Sequence, residues 1–193
     1  MNILLINDDG LRSKGLLIAA ETLKEFGDVY IVVPDRNRSA SSHSITLSWP
    51  ITYAEHDEIR ECYECSGTPA DCAKLGIREI MKDKEPDLVV VGINPGANTG
   101  AAVLYSGTVA AASEAAIIGV PALAVSMEAL DPKHYESAVA IMRKIVPILL
   151  EKGLPDWTIL NVNVPDIPPE DIKGTKVVPQ GLTFYNDYFK QYI

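Results

Sequence analysis

Two adjacent carboxylates near the amino terminus are the side chains in this sequence with the clearest chemical potential. Asp8 and Asp9 follow the apolar run 3–6, which has the continuous apolarity of a parallel strand covered on both faces. Gly10 then permits a sharp turn. Because neighbouring anions repel each other, such a pair needs a cation, a shared proton or water between its members. The pair therefore fits a metal site, although Asp-Asp-Gly is also typical of an ordinary polar turn.

Polar side chains follow two further apolar runs. The loop after residues 29–33 contains Ser39, and the glycine-rich loop after residues 88–93 contains Asn94 and Asn98. If these runs are parallel strands, their carboxyl ends meet at one edge of the sheet, close to the acidic pair. Carboxylate, hydroxyl and amide oxygens suit Mg²⁺, Mn²⁺ or Ca²⁺ better than Zn²⁺. The pattern predicts a hard divalent cation, while a solvated loop is the plainer interpretation of the serines around Ser39.

A helix start at residues 106–108 is a candidate phosphate site. Ser106, Gly107 and Thr108 open an alanine-rich stretch that predicts a helix to about residue 118. The free N–H groups at a helix start bind anions, and glycine allows a ligand to approach the backbone closely. The sequence contains neither a Walker loop nor a dinucleotide-binding glycine fingerprint. Together with the oxygen-rich loops, this helix start predicts metal-assisted hydrolysis of a phosphoester.

An α/β framework is needed to bring these side chains together. Predicted strands alternate with predicted helices, which favours a Rossmann-like three-layer α/β fold with a mostly parallel sheet and helices on both faces. β-Branched and aromatic residues predict a small antiparallel hairpin from 45–53 and 59–64. The predicted strands are 3–6, 29–33, 88–93, 122–126 and 158–162, with a further strand considered at 177–179. The predicted helices are 15–26, 69–81, 106–118 and 135–150, and Pro147 is expected to bend or shorten the last of these.

Composition and charge exclude several classes of protein. The 193 residues have a mass of 21.0 kDa and are 47% hydrophobic, which is enough for one substantial core. The net charge of −9 repels polyanions and therefore disfavours binding to nucleic-acid polymers or anionic membranes. No apolar stretch approaches the length of a membrane span, and no signal-like segment is visible at the start, so a cytoplasmic location is expected.

The three cysteines are expected to be reduced and packed. Cys62 and Cys65 have the spacing of half a zinc site, but no second pair exists, and a closed zinc site needs four ligands. An odd count, with Cys72 as the third, fits reduced thiols. We therefore expect the chemistry to lie elsewhere.

Seven short motifs, taken in order, resemble those of the SurE (survival protein E) family of nucleotidases. The resemblance covers roughly residues 1–181, with the motifs in order at family-like spacing between residues 6 and 165. Although each motif is modest alone, their chance co-occurrence is very improbable. The motifs are Ile6-Asn-Asp-Asp-Gly10, Pro34-Asp-Arg-Asn-Arg-Ser39, Ser44-Ile-Thr46, Gly67-Thr-Pro-Ala-Asp-Cys72, Gly92-Ile-Asn-Pro-Gly-Ala-Asn-Thr-Gly100, Ser106-Gly-Thr-Val109 and Asn161-Val-Asn-Val-Pro165.

The resemblance implies a specific activity and a specific set of site residues. It implies an enzyme of the 5′-nucleotidase, acid-phosphatase-like type that removes phosphate from nucleoside 5′- and 3′-monophosphates, with short polyphosphate as a further candidate substrate. It also implies one divalent metal ion per subunit, Mg²⁺ or Mn²⁺, with Ca²⁺ as another occupant. By position, it assigns the metal to Asp8, Asp9, Ser39 and Asn94, the two aspartates being catalytic, and the phosphate to Asn98, Ser106, Gly107 and Thr108.

The sequence departs from the family pattern in its first loop. Arg12 and Lys14 replace the more usual histidine and alanine or proline on either side of Ser13. The contacts from the first loop to the substrate are therefore expected to differ from those of the family. Outside this loop, Val91 replaces a usual serine, which should matter little to the ligands.

The aromatic-rich carboxyl-terminal part also departs from the family pattern. Family members continue beyond the position of Ile193, so we expect either a truncated chain or a different dimer and substrate pocket. We divide the chain into a catalytic domain, 1–181, and the start of a tail that serves oligomerisation, 182–193. A homodimer or homotetramer is expected.

Other functions remain open on the sequence alone. A nucleotide- or metal-binding regulatory protein without turnover would keep the same loops, whereas an oxidoreductase or transferase is disfavoured by the missing dinucleotide fingerprint. A covalent aspartyl-phosphate at Asp8 is conceivable, but direct hydrolysis is simpler if both carboxylates bind metal. His43 fits a loop-stabilising hydrogen bond better than a catalytic role.

Overall fold

The computed structural model describes residues 1–183 and 188–191. Within these residues the strands are β1 (Asn2–Ile6), β2 (Asp28–Pro34), β3 (Tyr53–Glu55), β4 (Cys62–Cys65), β5 (Leu88–Pro95), β6 (Ala122–Met127) and β7 (Ile159–Val164). They form one sheet in the order β3-β4-β2-β1-β5-β6-β7. The β3–β4 pair is antiparallel and every other neighbouring pair is parallel. The predicted mostly parallel α/β fold is confirmed.

Helices connect most of the strands. Over the same described residues they are α1 (Lys14–Leu23), α2 (Pro69–Leu75), α3 (Ala102–Tyr105), α4 (Gly107–Ile118) and α5 (Tyr135–Lys152). A π-helical turn, Gly76–Ile80, continues α2, and a 3₁₀ turn, Pro169–Asp171, follows β7. None of the helices in the described part of the chain is long and apolar enough to cross a membrane.

The central strand β1 shows why its sequence is apolar throughout. Ile3 and Leu5 belong to the core on the side of α1 and α5, whereas Leu4 and Ile6 belong to the core on the side of α2 and α4. All four side chains are fully buried. Because helices cover both faces of the sheet, an alternating polar residue would lie in one of the two cores.

The order of the strands places the candidate residues at a crevice. The chain leaves β1 toward β2 on one side and later returns to β5 on the other, so the topological switch point lies between β1 and β5. Ile6 pairs with Val91 in register, and the segments that follow them leave the sheet side by side. Open α/β sheets bind their ligands at such a crevice, beyond the carboxyl ends of the strands.

The predicted strand at 45–53 is wrong for most of its length. Residues 45–52 form no strand, and β3 begins at Tyr53. The backbone N–H and the hydroxyl of Thr46 instead donate to the Asp71 carboxylate in α2, at 3.0 and 2.6 Å. This backbone donor is therefore not available to a sheet ladder. The hairpin itself exists in shorter form as β3 and β4, and β4 also pairs parallel with β2, which makes the hairpin part of the main sheet.

One expectation nearer the carboxyl terminus is also wrong. Residues 177–179 form no strand; Val177 is exposed, and Pro179 lacks the N–H that a ladder requires. Helix α5 continues past Pro147 to Lys152, so the proline does not shorten it, and the alternative of a bend stays a prediction.

Candidate functional site

The turn after β1 is closed by Asn7, which the sequence analysis did not single out. Its side-chain nitrogen donates to the carbonyl of Gly10 at 2.9 Å, and its side-chain oxygen accepts from the Gly10 N–H at 3.1 Å. Gly10 has a φ of +90°, a conformation that side chains disfavour. The buried Asn7 thus fixes the turn that presents Asp8 and Asp9. An asparagine three residues before the turn glycine is the kind of local signal that identifies such a turn.

Asp8 lies against the start of α4. Its carboxylate is 4% exposed, and its Oδ1 accepts a hydrogen bond from the Thr108 hydroxyl at 2.8 Å. Burial raises the pKa of Asp8 above its ordinary value, and the Thr108 hydrogen bond opposes that rise. A methyl group placed on Gly107 would lie 3.1 Å from Asp8 Cβ. Helix α4 therefore begins in direct contact with the acidic turn.

Asp9 carries an unsatisfied oxygen. Asn37 donates to its Oδ1 at 3.3 Å, whereas its Oδ2 is buried without a hydrogen-bond partner among the described residues. Burial first, and then the negative charge of Asp8, raise the pKa of Asp9 to about 6. A buried carboxylate oxygen without a donor is costly unless a cation or a proton satisfies it.

Asn37 links Ser39 to Asp9 by hydrogen bonds to both residues. The Asn37 side-chain oxygen accepts from the Ser39 backbone N–H at 2.9 Å, while its nitrogen holds Asp9. The next backbone contact comes from Arg38, whose N–H donates to the Asp8 carbonyl at 2.7 Å. The loop after β2 is thus docked on the acidic turn, as the strand order requires. Asn37 was missed because its role depends on contacts between two loops.

Asn94 lies where β5 bulges. The register between β5 and β6 shifts between Val91 and Asn94. Gly92 has a φ of +131°, and a methyl group there would lie 2.4 Å from the Val125 carbonyl oxygen. The Asn94 amide nitrogen donates to the Gly96 carbonyl at 2.7 Å, so its oxygen is the atom suited to a cation. Bulges of this kind re-aim side chains next to active sites.

Asn98 is held in place by two asparagines of β7. Its backbone N–H donates to Asn163 Oδ1 at 2.7 Å, and its carbonyl accepts from Asn161 at 2.9 Å and from Asn163 at 3.2 Å. The Asn98 side chain donates to the Ser126 hydroxyl at 2.8 Å. Asn161 and Asn163 belong to a motif quoted above, but their anchoring role needed the structure.

Ser106 is the N-cap of α4. Its buried hydroxyl accepts from the Val109 N–H at 3.1 Å, so it stabilises the helix start. The backbone N–H groups of Gly107 and Thr108 follow directly and are of the type that binds anions. The structure thus places the Thr108 hydroxyl on Asp8, and leaves the backbone as the part of this element suited to phosphate.

His43 stabilises the loop that carries Ser39. Its Nε2 lies 2.9 Å from Glu114 of α4, and Lys74 of α2 contacts the other oxygen of the same buried carboxylate at 2.8 Å. This is the loop-stabilising hydrogen bond expected from the sequence.

The chemistry of the donors decides which metal would fit. Among the described residues, no three His, Cys, Asp or Glu side chains cluster to hold a metal. The oxygens available are instead those of two carboxylates, a hydroxyl and an amide, which suits a hydrated hard cation with few protein ligands. The three cysteines are buried and free, as expected. The orphaned Asp9 Oδ2 is the atom that such a cation would satisfy.

The chain is similar to proteins of one family over nearly its whole length. The family model described as "Survival protein SurE" matches residues 3–187. The "5′-nucleotidase SurE" of Caldanaerobacter subterraneus subsp. tengcongensis is 44% identical over 193 residues, which is 98% of this chain and 75% of that protein. The "5′-nucleotidase SurE" of Methylococcus capsulatus is 46% identical over 183 residues, 94% of this chain and 71% of that protein.

A crystal structure gives the same result for the fold. The SurE protein from Aquifex aeolicus superposes with a TM-score of 0.87 at 42% sequence identity. The match covers 94% of this chain and 73% of that one.

Proposed function

The chain belongs to the SurE family, and from this membership we propose that it is a divalent-metal-dependent phosphomonoesterase that hydrolyses nucleoside 5′-monophosphates to nucleoside and phosphate. The observation that carries the proposal is Asp9 Oδ2, a buried carboxylate oxygen that receives no hydrogen bond from the described part of the chain, beside the buried Asp8. Two neighbouring carboxylates, one buried and one half-buried, with one unsatisfied oxygen favour a cation.

The residues that would hold the cation are Asp8, Asp9, Ser39 and Asn94. The chemistry that a divalent cation supplies is polarisation of a phosphoryl oxygen and a lowered pKa for water. Thr108 occupies Oδ1 of Asp8, so Oδ2 of Asp8 is the oxygen that can orient the attacking water or accept its proton. If Asp8 and Asp9 both hold the cation, direct hydrolysis is a simpler course than a covalent aspartyl-phosphate at Asp8.

The residues that would bind the phosphate are those at the start of α4 and in the loop after β5. The N–H groups of Gly107 and Thr108 would donate to phosphoryl oxygens, with the helix dipole adding to the attraction. Asn98 uses one of its two amide hydrogens on Ser126, which leaves the second for the phosphate. Such preorganised donors stabilise the charge that develops on the transferring group.

Phosphate release from nucleoside monophosphates tests the proposal. The purified protein should release phosphate from 5′-monophosphates when Mg²⁺ or Mn²⁺ is present and lose this activity in EDTA, while a phosphodiester remains intact. Asp9→Asn should be inactive with an unchanged circular dichroism spectrum. If no phosphate is released although calorimetry shows that the cation binds, the protein is a nucleotide- or metal-binding regulator and the proposal fails.

Finer features of the activity are further proposals. We propose Mg²⁺ or Mn²⁺ as the cation, with one per subunit and Ca²⁺ as another occupant, and 3′-monophosphates and short polyphosphate as additional substrates. The same assay, repeated with each cation and each substrate, tests them.

We also propose that residues 1–181 form the catalytic domain and that 182–193 begin an oligomerisation tail. The side chain of Gln180 donates to the Gly100 carbonyl at 2.9 Å, so the chain approaches the loop of Asn98 where the tail begins. Leu182 and Phe189 are exposed apolar residues, as a contact surface requires; residues 184–187 and 192–193 lie outside the described part. Light scattering should give a homodimer or homotetramer, and a monomer would refute this proposal.

A further inference from the structure

A cavity of about 340 Å³ extends the candidate site on the far side of Asp9. Its volume is at the lower end of the range for small-molecule sites and exceeds what a phosphate group alone would fill. Because Asp9 lies in its wall, a group in the cavity would lie next to a phosphate held at the acidic turn. The lining residues on which the argument rests are Asp9, Lys14, Leu130, Asp131, Lys133 and Tyr135. We call this cavity the leaving-group pocket.

Part of the pocket wall is buried and held by hydrogen bonds. Tyr135, the first residue of α5, is only 7% exposed. The segment before it is fixed by Asp166, whose carboxylate accepts hydrogen bonds from the backbone N–H groups of Lys133 at 2.9 Å and His134 at 2.8 Å. Burial first, and then the negative charge of Asp9, raise the pKa of Tyr135. Leu130, which also lines the pocket, is 87% exposed.

The charges in the pocket do not cancel. Lys133 forms an ion pair with Asp131. Lys14 lies with its ammonium 5.2 Å from the centre of the Tyr135 ring, and no carboxylate among the described residues forms an ion pair with it. The hydrogen bond and then the charge of Lys133 are the leading causes that lower the pKa of Asp131, and the charge of Lys14 is the last of its causes. Apart from Asp9, whose charge a bound cation would offset, the pocket therefore holds one excess positive charge, on Lys14.

We propose that this pocket receives the alcohol part of the phosphoester and that Lys14 makes it select leaving groups with a second negative charge, such as a nucleoside bisphosphate over a monophosphate. The inference rests on the proposed function and names a substrate class for the same site. Lys14 suits this role because the Tyr135 ring holds its ammonium by a cation–π contact without neutralising it. An ammonium on a flexible four-carbon stem in the pocket wall attracts a second phosphate without requiring a fixed geometry.

Two nucleotides that differ by one phosphate test the proposal. The probes are adenosine 5′-monophosphate and adenosine 3′,5′-bisphosphate. Release of the 5′-phosphate is measured by separating the products. Lys14→Ala should lower the ratio of kcat/KM for the bisphosphate to that for the monophosphate by about fivefold to tenfold, the effect of removing one partly screened charge pair. Lys14→Arg should keep the ratio. Lys24→Ala is the matched control, because Lys24 lies at the other end of α1 and pairs with Glu21.

Binding provides a readout that does not depend on turnover. The affinities of both nucleotides are measured by calorimetry in EDTA. The ratio of the affinity for the bisphosphate to that for the monophosphate should fall by the same factor in Lys14→Ala. If adenosine 5′-monophosphate is bound but not hydrolysed by the wild-type protein in the presence of metal, the proposed function fails, while the affinity ratio still tests Lys14. An unchanged affinity ratio in Lys14→Ala, or an equal change in Lys24→Ala, would overturn the inference.

Discussion

The Thr108 hydroxyl donates to Oδ1 of Asp8 across 2.8 Å, joining two residues that are 100 positions apart in the chain. Thr108 is fully buried, and Asp8 is nearly so. A hydrogen bond donated to a carboxylate favours its ionised form and opposes the rise in pKa that burial causes. Thr108 is therefore a positioning residue that keeps the Asp8 carboxylate oriented and more readily ionised.

Replacing Thr108 with valine should lower activity without unfolding the protein. Thr108→Val keeps the shape of the side chain and removes the donor, so the pKa of Asp8 should rise further. We expect kcat/KM to fall about tenfold to a hundredfold, as is usual when a residue that orients a metal ligand is lost. The acidic limb of the pH profile should move to higher pH. Thr108→Ser keeps a hydroxyl donor and should retain both the wild-type kcat/KM and the wild-type pH profile. A Thr108→Val protein with the wild-type pH profile would show that the hydroxyl does not act through Asp8.

The stability of the metal-free protein should depend on the ionisation of Asp9. Burial first, and then the charge of Asp8, raise the pKa of Asp9 to about 6, whereas an unfolded chain gives aspartate a pKa of about 3.9. The folded state thus binds this proton more tightly than the unfolded state. The stability that this tighter binding of the Asp9 proton adds is fully present below about pH 4 and is lost as the pH rises through 6.

Asp9→Asn isolates this contribution. In EDTA, the free energy of unfolding of Asp9→Asn relative to wild type should increase by about 1–2 kcal/mol between pH 4 and 7, after allowance for solvent screening of a partly exposed carboxylate. Urea unfolding at several pH values measures this difference. Excess Mg²⁺ should favour the wild type again at pH 7, because binding to the folded state stabilises it. A difference that stays constant with pH would mean that Asp9 ionises as in an unfolded chain.

Local patterns allowed the framework and the site loops to be predicted, but long-range contacts did not follow from them. The apolar run of β1 and the polar residues after it could be recognised because both faces of that strand are covered. The hydrogen bond between Thr108 and Asp8 depends instead on how α4 docks on β1, and the sequence assigned Thr108 to the phosphate. The link from Asn37 to Asp9 and Ser39 likewise needs two loops to meet. Thr46 shows the reverse case, since its contact with Asp71 overrides a strand-like sequence.

Gly107→Ala should impair activity more than stability. A methyl group there would lie 3.1 Å from Asp8 Cβ and 3.0 Å from Ser41 Oγ, so these neighbours must move by a few tenths of an ångström. Alanine favours a helix, which offsets part of the overpacking, and we expect destabilisation of about 0–2 kcal/mol. The displaced Asp8 should lower kcat/KM by about tenfold to a hundredfold.

Gly181→Ala is the matched control for this change. No atom lies within 4 Å of a methyl group at Gly181. Its kinetics and urea midpoint should stay near those of the wild type. Equal kinetics for Gly107→Ala and wild type would show that the start of α4 does not constrain the acidic turn.

Asn163→Ala should destabilise the protein more than Asn161→Ala, although both side chains donate to the Asn98 carbonyl. Asn163 alone also accepts from the Asn98 N–H, so its loss leaves a donor on the buried Asn98 without this partner, at a cost of about 1–3 kcal/mol. Removing Asn161 leaves the carbonyl still bonded to Asn163 and eliminates a buried side-chain oxygen that has no donor among the described residues. Urea unfolding gives the two free energies, and inhibition by inorganic phosphate reports on the loop, with weaker inhibition expected for Asn163→Ala. If Asn161→Ala causes the larger loss in either measurement, the backbone N–H of Asn98 is not the group that secures this loop.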